Sequence, residues 1–291
     1  MMNRNELKDF YYRIQLDVKE NKKLSALQRL YALLRQSPDY LPALKLLKDI
    51  YLASNQLPEA EKIAQQMIKI SDSAENQAIY GHVLLLRENY TEALKYLKKA
   101  ESDEPNNPEL LHALGFCYLK TERLDKALGY FEKLDQSGIY FEGMGLLLGE
   151  LYFDKHHYEL TIQIITKAMK FEGERKEFYL LMGDSHLMMQ RWIHALKNYK
   201  LALAMMPDDY KLNRSIGWVL CNMNNYQEGI KFLKKSIRSK NDYIEGRISL
   251  AIAYLSMGDY DKSIKEFEAV LKLEPENEIA KEYLAKAHAL S

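Results

Sequence analysis

The chain has 291 residues, with 41 basic and 41 acidic side chains and a formal net charge of zero. This balance, without a basic stripe, gives no reason to expect binding to nucleic acid or to an anionic membrane. No apolar run approaches the ~20 residues of a membrane-spanning helix. The two cysteines form no disulfide framework, which is typical of a reducing compartment. We therefore expect a soluble, cytoplasmic protein without membrane insertion.

Apolar residues recur along the chain at helical spacing, in pairs of bursts separated by short polar turns. The clearest pair lies in residues 108–141, where Leu111–Tyr118 reads L-x-x-L-G-x-x-Y and Ala127–Phe131 reads A-x-x-x-F. This pattern predicts a helix, a turn and a second helix.

The same pattern recurs at intervals of 34 residues, with one interval shortened by a residue. It predicts a single array over residues 1–291, formed by eight repeat units and a final capping helix. A small residue at the eighth position of a unit would let its two helices approach closely, and five consecutive units have Gly there. The units are 7–40, 41–73, 74–107, 108–141, 142–175, 176–209, 210–243 and 244–277, and the capping helix is 278–291.

The capping helix repeats only the first half of a unit. Ile279, Tyr283, Ala287 and Leu290 lie at helical spacing. We expect this stripe to pack on the preceding unit while the charged residues between its members face solvent.

The motifs resemble the tetratricopeptide repeat (TPR) family, whose pattern is W-x-x-L-G-x-x-Y…A-x-x-x-F…P at 34 residues. The resemblance covers residues 7–277. It implies an all-α fold, a TPR α-solenoid in which antiparallel helix pairs form a right-handed superhelix. It also implies that the protein binds other proteins.

The residue constellations that resemble chemical sites have structural explanations. The glycines of Gly143–Gly149 follow no strand, as a nucleotide-binding loop would require. His156 and His157 fall in a predicted turn, and Cys117 and Cys221 fall inside helical patterns without a nucleophile motif. We therefore predict no catalytic, cofactor or metal site and no enzyme activity.

In the family, the first helix of each unit lines a concave groove. Carrying the groove positions onto this sequence predicts partner-binding residues, of which Arg214 and Trp218 lie four residues apart on one helix face. His82 and His112 could contact a shared ligand. Several apolar groove positions could pack against the neighbouring unit instead of binding a partner. The predicted set is Tyr11, Tyr12, Gln15, Lys45, His82, His112, Phe116, Lys120, Glu150, Asp184, Arg214, Trp218 and Asn222.

We predict a scaffold or adaptor whose concave groove binds a peptide or a helical segment of a partner protein. The Lys/Asn clamp that grips peptide C-termini in some relatives is not matched, because Lys45 is followed four residues later by Asp49. The alternative is a self-associating component of a larger assembly, in which the chain forms a homo-oligomer.

Overall fold

The computed structural model describes residues 4–291, and this part of the chain contains seventeen α-helices and no strand. The predicted all-α fold is confirmed. The helices are α1 (Arg4–Lys19), α2 (Lys23–Gln36), α3 (Leu41–Ala53), α4 (Leu57–Ile70), α5 (Ala74–Leu86), α6 (Tyr90–Asp103), α7 (Pro108–Lys120), α8 (Leu124–Gln136), α9 (Met144–Asp154), α10 (Tyr158–Glu172), α11 (Lys176–Met188), α12 (Trp192–Met205), α13 (Tyr210–Asn222), α14 (Tyr226–Ser239), α15 (Ile244–Ser256), α16 (Tyr260–Leu273) and α17 (Glu278–Leu290).

The odd-numbered helices begin close to the first residues of the predicted units. Helix α9 begins two residues late, at Met144, because Gly143 precedes it with a left-handed φ of 79°. The grouping into eight repeats and one array stays a prediction. Seven helices start at the predicted residue: α3 at Leu41, α5 at Ala74, α7 at Pro108, α11 at Lys176, α13 at Tyr210, α15 at Ile244 and α17 at Glu278.

The helices form two compact units. Unit 1 ends at Ile139 and contains α1–α8, and unit 2 spans Tyr140–Ser291 and contains α9–α17. Within each unit, every helix packs against the next one along the chain.

Close approach of the two helices in a pair depends on small residues. A Cβ on Gly183 of α11 would lie 2.6 Å from Cε1 of Tyr199 on α12. Tyr199 is fully buried, so its ring occupies the space that a larger residue at position 183 would need. The pattern of small and large residues therefore sets the spacing of the pair.

Each pair turns through the same backbone motif. Glu122, for example, follows α7 with φ 58°, and the amide of Arg123 donates to the Tyr118 carbonyl at 2.9 Å. This is the Schellman arrangement, in which a left-handed residue ends a helix and satisfies a terminal carbonyl. The equivalent residues are Asn21, Asn55, Glu88, Glu122, His156, Gln190, Asn224 and Gly258.

In both units, odd-numbered helices also contact one another: α5 packs on α7, α9 on α11, α13 on α15, and α15 on α17. Within residues 4–291, no two even-numbered helices pack comparably. The odd-numbered helices of these pairs therefore lie on the more closely spaced side of their unit. We call the surface formed by the odd-numbered helices of a unit its inner face.

Helix α17 packs on α15 and α16, but the predicted apolar stripe is partly wrong. Ala280 and Ala287 are buried, and the Tyr283 ring stacks on Phe267 with centroids 5.9 Å apart. Ile279 and Leu290 are instead 52% and 51% exposed. The buried side is therefore rotated toward the smaller residues.

None of the helices in residues 4–291 combines the length and the apolar character needed to cross a bilayer.

Candidate interaction surface

All of the predicted partner-binding residues lie on odd-numbered helices, but they are divided between the two units. Unit 1 holds Tyr11, Tyr12, Gln15, Lys45, His82, His112, Phe116 and Lys120. Unit 2 holds Glu150, Asp184, Arg214, Trp218 and Asn222.

The N-terminal part of the unit 1 inner face is aromatic. Tyr11 is half-buried, and its ring meets Tyr40 edge-on with centroids 5.7 Å apart. Tyr12 is 60% exposed, and Gln15 beside it is also exposed. Tyr12 therefore offers free ring surface. Farther along, on α3, Lys45 forms an ion pair with Glu75.

Two histidines meet on the next part of this face. The Nδ1 atom of His82 lies 2.9 Å from the Ala78 carbonyl, so this nitrogen carries the proton and donates. Burial lowers the pKa of His112, and the nearby His82 lowers this pKa further. Within residues 4–291, no group of three or more His, Cys, Asp or Glu side chains is arranged to hold a metal ion.

Phe116 and Lys120 continue the same face toward the end of α7. Phe116 is partly buried and meets Tyr90 edge-on, with centroids 6.4 Å apart. The Lys120 ammonium lies 5.3 Å from the centroid of the Phe116 ring. This pair presents an apolar ring beside an exposed positive charge, an arrangement suited to a protein ligand.

Carboxylates occupy the first part of the unit 2 inner face. Burial and the neighbouring Asp154 raise the pKa of Glu150. Burial also raises the pKa of Asp184, while a hydrogen bond from the Tyr199 hydroxyl, 2.6 Å long, partly offsets this rise. The ionised form of each carboxylate is therefore less stable than it would be in water.

Arg214 on α13 is held by the protein itself. Its Nε donates to the Ser249 hydroxyl at 3.0 Å and to the Glu245 carbonyl at 3.3 Å. These bonds connect α13 with α15 and fix the guanidinium. Arg214 therefore contributes to the packing of the inner face, a role that the sequence did not predict.

Trp218 and Asn222 lie beside a small cavity. Trp218 is partly buried, and the amide of Asn222 donates to the Trp218 carbonyl at 2.9 Å. The cavity has a volume of about 190 Å³, and its walls carry no charged side chain. It is lined by Trp218, Cys221, Asn222, Asn224, Tyr226, Ile252, Ala253 and Ser256.

Sequence reasoning predicted two of these eight lining residues, Trp218 and Asn222. Ile252 and Ser256 occupy the same positions in the eighth unit that Trp218 and Asn222 occupy in the seventh, 34 residues earlier. Extending the groove positions by one unit would have found them. Tyr226 comes from a second helix, and its hydroxyl donates to Asn224 at 3.3 Å. No spacing rule of the first helices identifies it.

The glycine-rich start of α9 is filled by the protein's own carboxylate. The buried Glu172 side chain accepts hydrogen bonds from the Gly143 and Gly145 amides at 2.9 Å and 3.3 Å. These amides are the groups that a phosphate would need. The turn residue His156 is exposed and lies 2.9 Å from the Tyr158 hydroxyl.

The fold of stacked helix pairs is that of the TPR solenoids, and comparisons with family models agree. Models described as tetratricopeptide repeat match residues 20–79 and 245–277. A model described as anaphase-promoting complex, cyclosome, subunit 3 matches residues 53–134. The chain is a tetratricopeptide repeat protein. This fold generally supports a protein-interaction scaffold.

Individual relatives share the repeat but little sequence identity. The tetratricopeptide repeat protein 21 homolog of Caenorhabditis elegans is 23% identical over 235 residues, an alignment covering 76% of this chain and 17% of that protein. The chain thus spans about a sixth of the length of this relative.

Two solved structures show the same fold. The C-terminal part of a TPR repeat-containing protein from Cytophaga hutchinsonii matches with a TM-score of 0.63 and 16% identity, covering 81% of this chain and 97% of that one. YrrB, described as a TPR protein with an unusual peptide-binding site, matches with a TM-score of 0.55 and 14% identity. That match covers 64% of this chain and 96% of YrrB.

Proposed function

We propose that this protein is a scaffold or adaptor whose inner faces bind a peptide or helical segment of another protein. The observation that carries the proposal is Trp218, a large aromatic side chain that the fold leaves only partly buried beside the cavity of about 190 Å³. An indole that becomes fully buried on binding contributes a large apolar area, and tryptophans are enriched among the residues that dominate binding energy.

The charges of unit 2 indicate the chemistry of the bound segment. Burial raises the pKa of both Glu150 and Asp184, so their ionised forms are disfavoured in the free protein. A cationic side chain placed against them would relieve this cost. We therefore expect the segment to carry Lys or Arg near α9 and α11, and an apolar or neutral polar side chain near Trp218.

YrrB, whose fold resembles that of this chain, is described as having a peptide-binding site. This similarity supports a peptide as the ligand. A cytoplasmic location stays a prediction from composition.

The two tryptophans of the chain allow a matched test. Trp218 lies on the inner face, whereas Trp192 lies on α12 and packs against the core that surrounds Tyr199. Wild-type protein, Trp218→Ala and Trp192→Ala would each be used as bait in lysate of the native cell, and captured proteins would be quantified by mass spectrometry.

Trp218→Ala should reduce a partner's capture by more than about tenfold, as expected for removal of an energetic anchor, and should leave the circular-dichroism spectrum unchanged. Trp192→Ala should lower the melting temperature but retain the partner below it. Equal capture by Trp218→Ala and wild type would rule out this part of the inner face.

Self-association is the second candidate function, because some apolar side chains lie free on even-numbered helices. Leu24 on α2 is 72% exposed and Ile193 on α12 is 70% exposed. Light scattering over a concentration series distinguishes the candidates. A monomer at every concentration would exclude homo-oligomerisation as the main role, whereas a stable oligomer disrupted by Ile193→Asp would favour it.

A further inference from the structure

A second surface of unit 1, formed mainly by the even-numbered helices α6 and α8, carries an open cleft beside Gly129. Its volume is about 370 Å³, and Tyr118, Gly129 and Tyr130 contribute to its walls together with three lysines. The two tyrosine rings are nearly parallel, with an interplanar angle of 12° and centroids 5.5 Å apart. Lys98 on α6 and five residues of α8 line the cleft, and Tyr118 near the end of α7 is the one lining residue from an odd-numbered helix.

The three lysines direct their ammonium groups to these rings. The Nζ atom of Lys126 lies 5.4 Å from the Tyr118 centroid. The Nζ atoms of Lys98 and Lys133 lie 5.9 Å and 5.5 Å from the Tyr130 centroid. Attraction between each ammonium group and the aromatic ring favours lysine conformations that keep the charge near the cleft.

Gly129 is not required by packing. It lies inside α8, where glycine is unfavourable, yet a Cβ placed on it would meet no atom within 4 Å. Each of the other seven predicted repeats has a long polar side chain at this position. These residues are Gln28, Lys62, Lys95, Gln163, Lys197, Lys231 and Lys265.

The absence of a side chain at Gly129 opens the middle of this helix face. Lys126, Gly129, Tyr130 and Lys133 are spaced i, i+3, i+4 and i+7, so they share one face of α8. The two lysines are separated by a rise of roughly 10 Å along the helix axis. A group seated at Gly129 therefore lies between two cations and against an aromatic wall.

Charge identifies the kind of occupant. Three lysines and one carboxylate, Asp125, line the cleft. Beside it, Glu101 pairs with Lys98 and accepts a hydrogen bond from the Tyr130 hydroxyl at 3.2 Å. The cleft thus favours a single anionic group. The carboxylates at its edge would repel a polyanion such as nucleic acid or a charged lipid surface.

We propose that the Gly129 cleft docks an acidic side chain, Glu or Asp, from an exposed segment of a partner protein. The carboxylate lies between Lys126 and Lys133, and the methylene groups of the side chain lie on Tyr118 and Tyr130. This site is independent of the inner face, so one chain would hold two different protein segments.

The test uses the full chain and a defined probe. A fluorescein-labelled, capped peptide of Ala and Ser that contains a single Glu is titrated with protein, and fluorescence anisotropy is measured beside a peptide in which Gln replaces that Glu. We expect saturable binding of the Glu peptide and at least tenfold weaker binding of the Gln peptide.

Gly129→Gln is the decisive variant, because it fills the cleft with the residue found at this position in the first and fifth repeats, Gln28 and Gln163. It should reduce Glu-peptide binding at least tenfold without lowering the melting temperature, since a helix former replaces glycine. Lys126→Ala combined with Lys133→Ala should have the same effect on binding. Lys231→Ala is the control: Lys231 occupies the position of Gly129 in the seventh repeat, within unit 2, and its removal should leave binding unchanged.

Selective ¹⁵N-glycine labelling locates the bound peptide. The chain contains 13 glycines, so the spectrum is simple and includes a probe in the cleft, the Gly129 amide. The Gly129 amide should shift with the Glu peptide, while Gly217 in unit 2 should not. Equal binding of the Gln peptide, full binding by Gly129→Gln or shifts confined to other glycines would overturn the proposal. So would a duplex oligonucleotide that binds at Gly129 more tightly than the Glu peptide.

Discussion

Gly115 on α7 lies directly against the ring of Phe131 on α8: a Cβ on Gly115 would come within 3.0 Å of the Phe131 Cε1 atom. The Phe131 side chain is fully buried, so the ring has little room to move away. The tightness of this contact explains the small residue at the eighth position of this unit.

Gly115→Leu should therefore destabilise unit 1 by about 1–3 kcal/mol, the usual cost of overpacking a close-packed core. Gly129→Ala is the matched control, because its new methyl group meets no atom within 4 Å and should stabilise α8 by roughly 0.5–1 kcal/mol. Urea denaturation followed by circular dichroism measures both. A neutral Gly115→Leu would mean that α7 and α8 are not in the register described.

Arg214→Ala should lower the stability of unit 2. The substitution removes the bonds from the guanidinium to Ser249 and to the Glu245 carbonyl, and we expect a loss of about 1 kcal/mol for this partly exposed group. Thermal denaturation measures the effect, with Lys211→Ala on the same helix as an exposed control. Equal melting temperatures for the two variants would show that Arg214 does not join α13 to α15.

Asp184 should make the stability of unit 2 depend on pH. Burial raises its folded-state pKa, so the folded chain holds this proton more tightly than the unfolded chain. The resulting stabilisation is complete below the unfolded pKa of about 4 and is lost as pH rises through the folded pKa.

Asp184→Asn retains an oxygen that accepts the Tyr199 hydrogen bond but cannot ionise. It should therefore be more stable than wild type at pH 7 and lose this advantage near pH 3. Urea midpoints at the two pH values provide the comparison. A difference that is the same at both would contradict the assignment.

The cysteines should be unreactive in the folded protein. Burial raises the pKa of Cys117 to about 12 and that of Cys221 to about 11, so very little thiolate is present at pH 8. A thiol reagent such as DTNB should label neither cysteine at pH 8 until urea unfolds the chain, after which both should react. Rapid labelling without denaturant would show that a unit opens readily.

Much of the helical framework follows from the sequence because apolar spacing and close helix contacts depend on local residue types. Helix α7 begins at Pro108, as predicted, and Gly115 identifies its contact with α8. The left-handed turns were not predictable in this way. Residues such as Glu122 and Gln190 adopt positive φ, and the surrounding Schellman motif imposes that conformation despite their side chains.

The interaction surface was less predictable because exposure depends on neighbouring helices. Trp218 lies on the predicted face, whereas Arg214, one turn earlier, is fixed by α15. Ile279 is exposed although it lies on the apolar stripe of α17, because the small Ala280 packs more closely on the unit. Gly129 carries no helix-packing role, and only comparison of all the repeat units distinguishes it from the other helical glycines.

Photo-cross-linking in the native cell tests inner-face binding most directly. A benzophenone amino acid would be placed at position 222 on α13, beside Trp218 in the cavity wall, or, as a control, at position 193 on α12, where Ile193 is 70% exposed. We predict a discrete covalent adduct with a partner protein from position 222 and none from position 193. An adduct from position 193 alone would contradict inner-face binding.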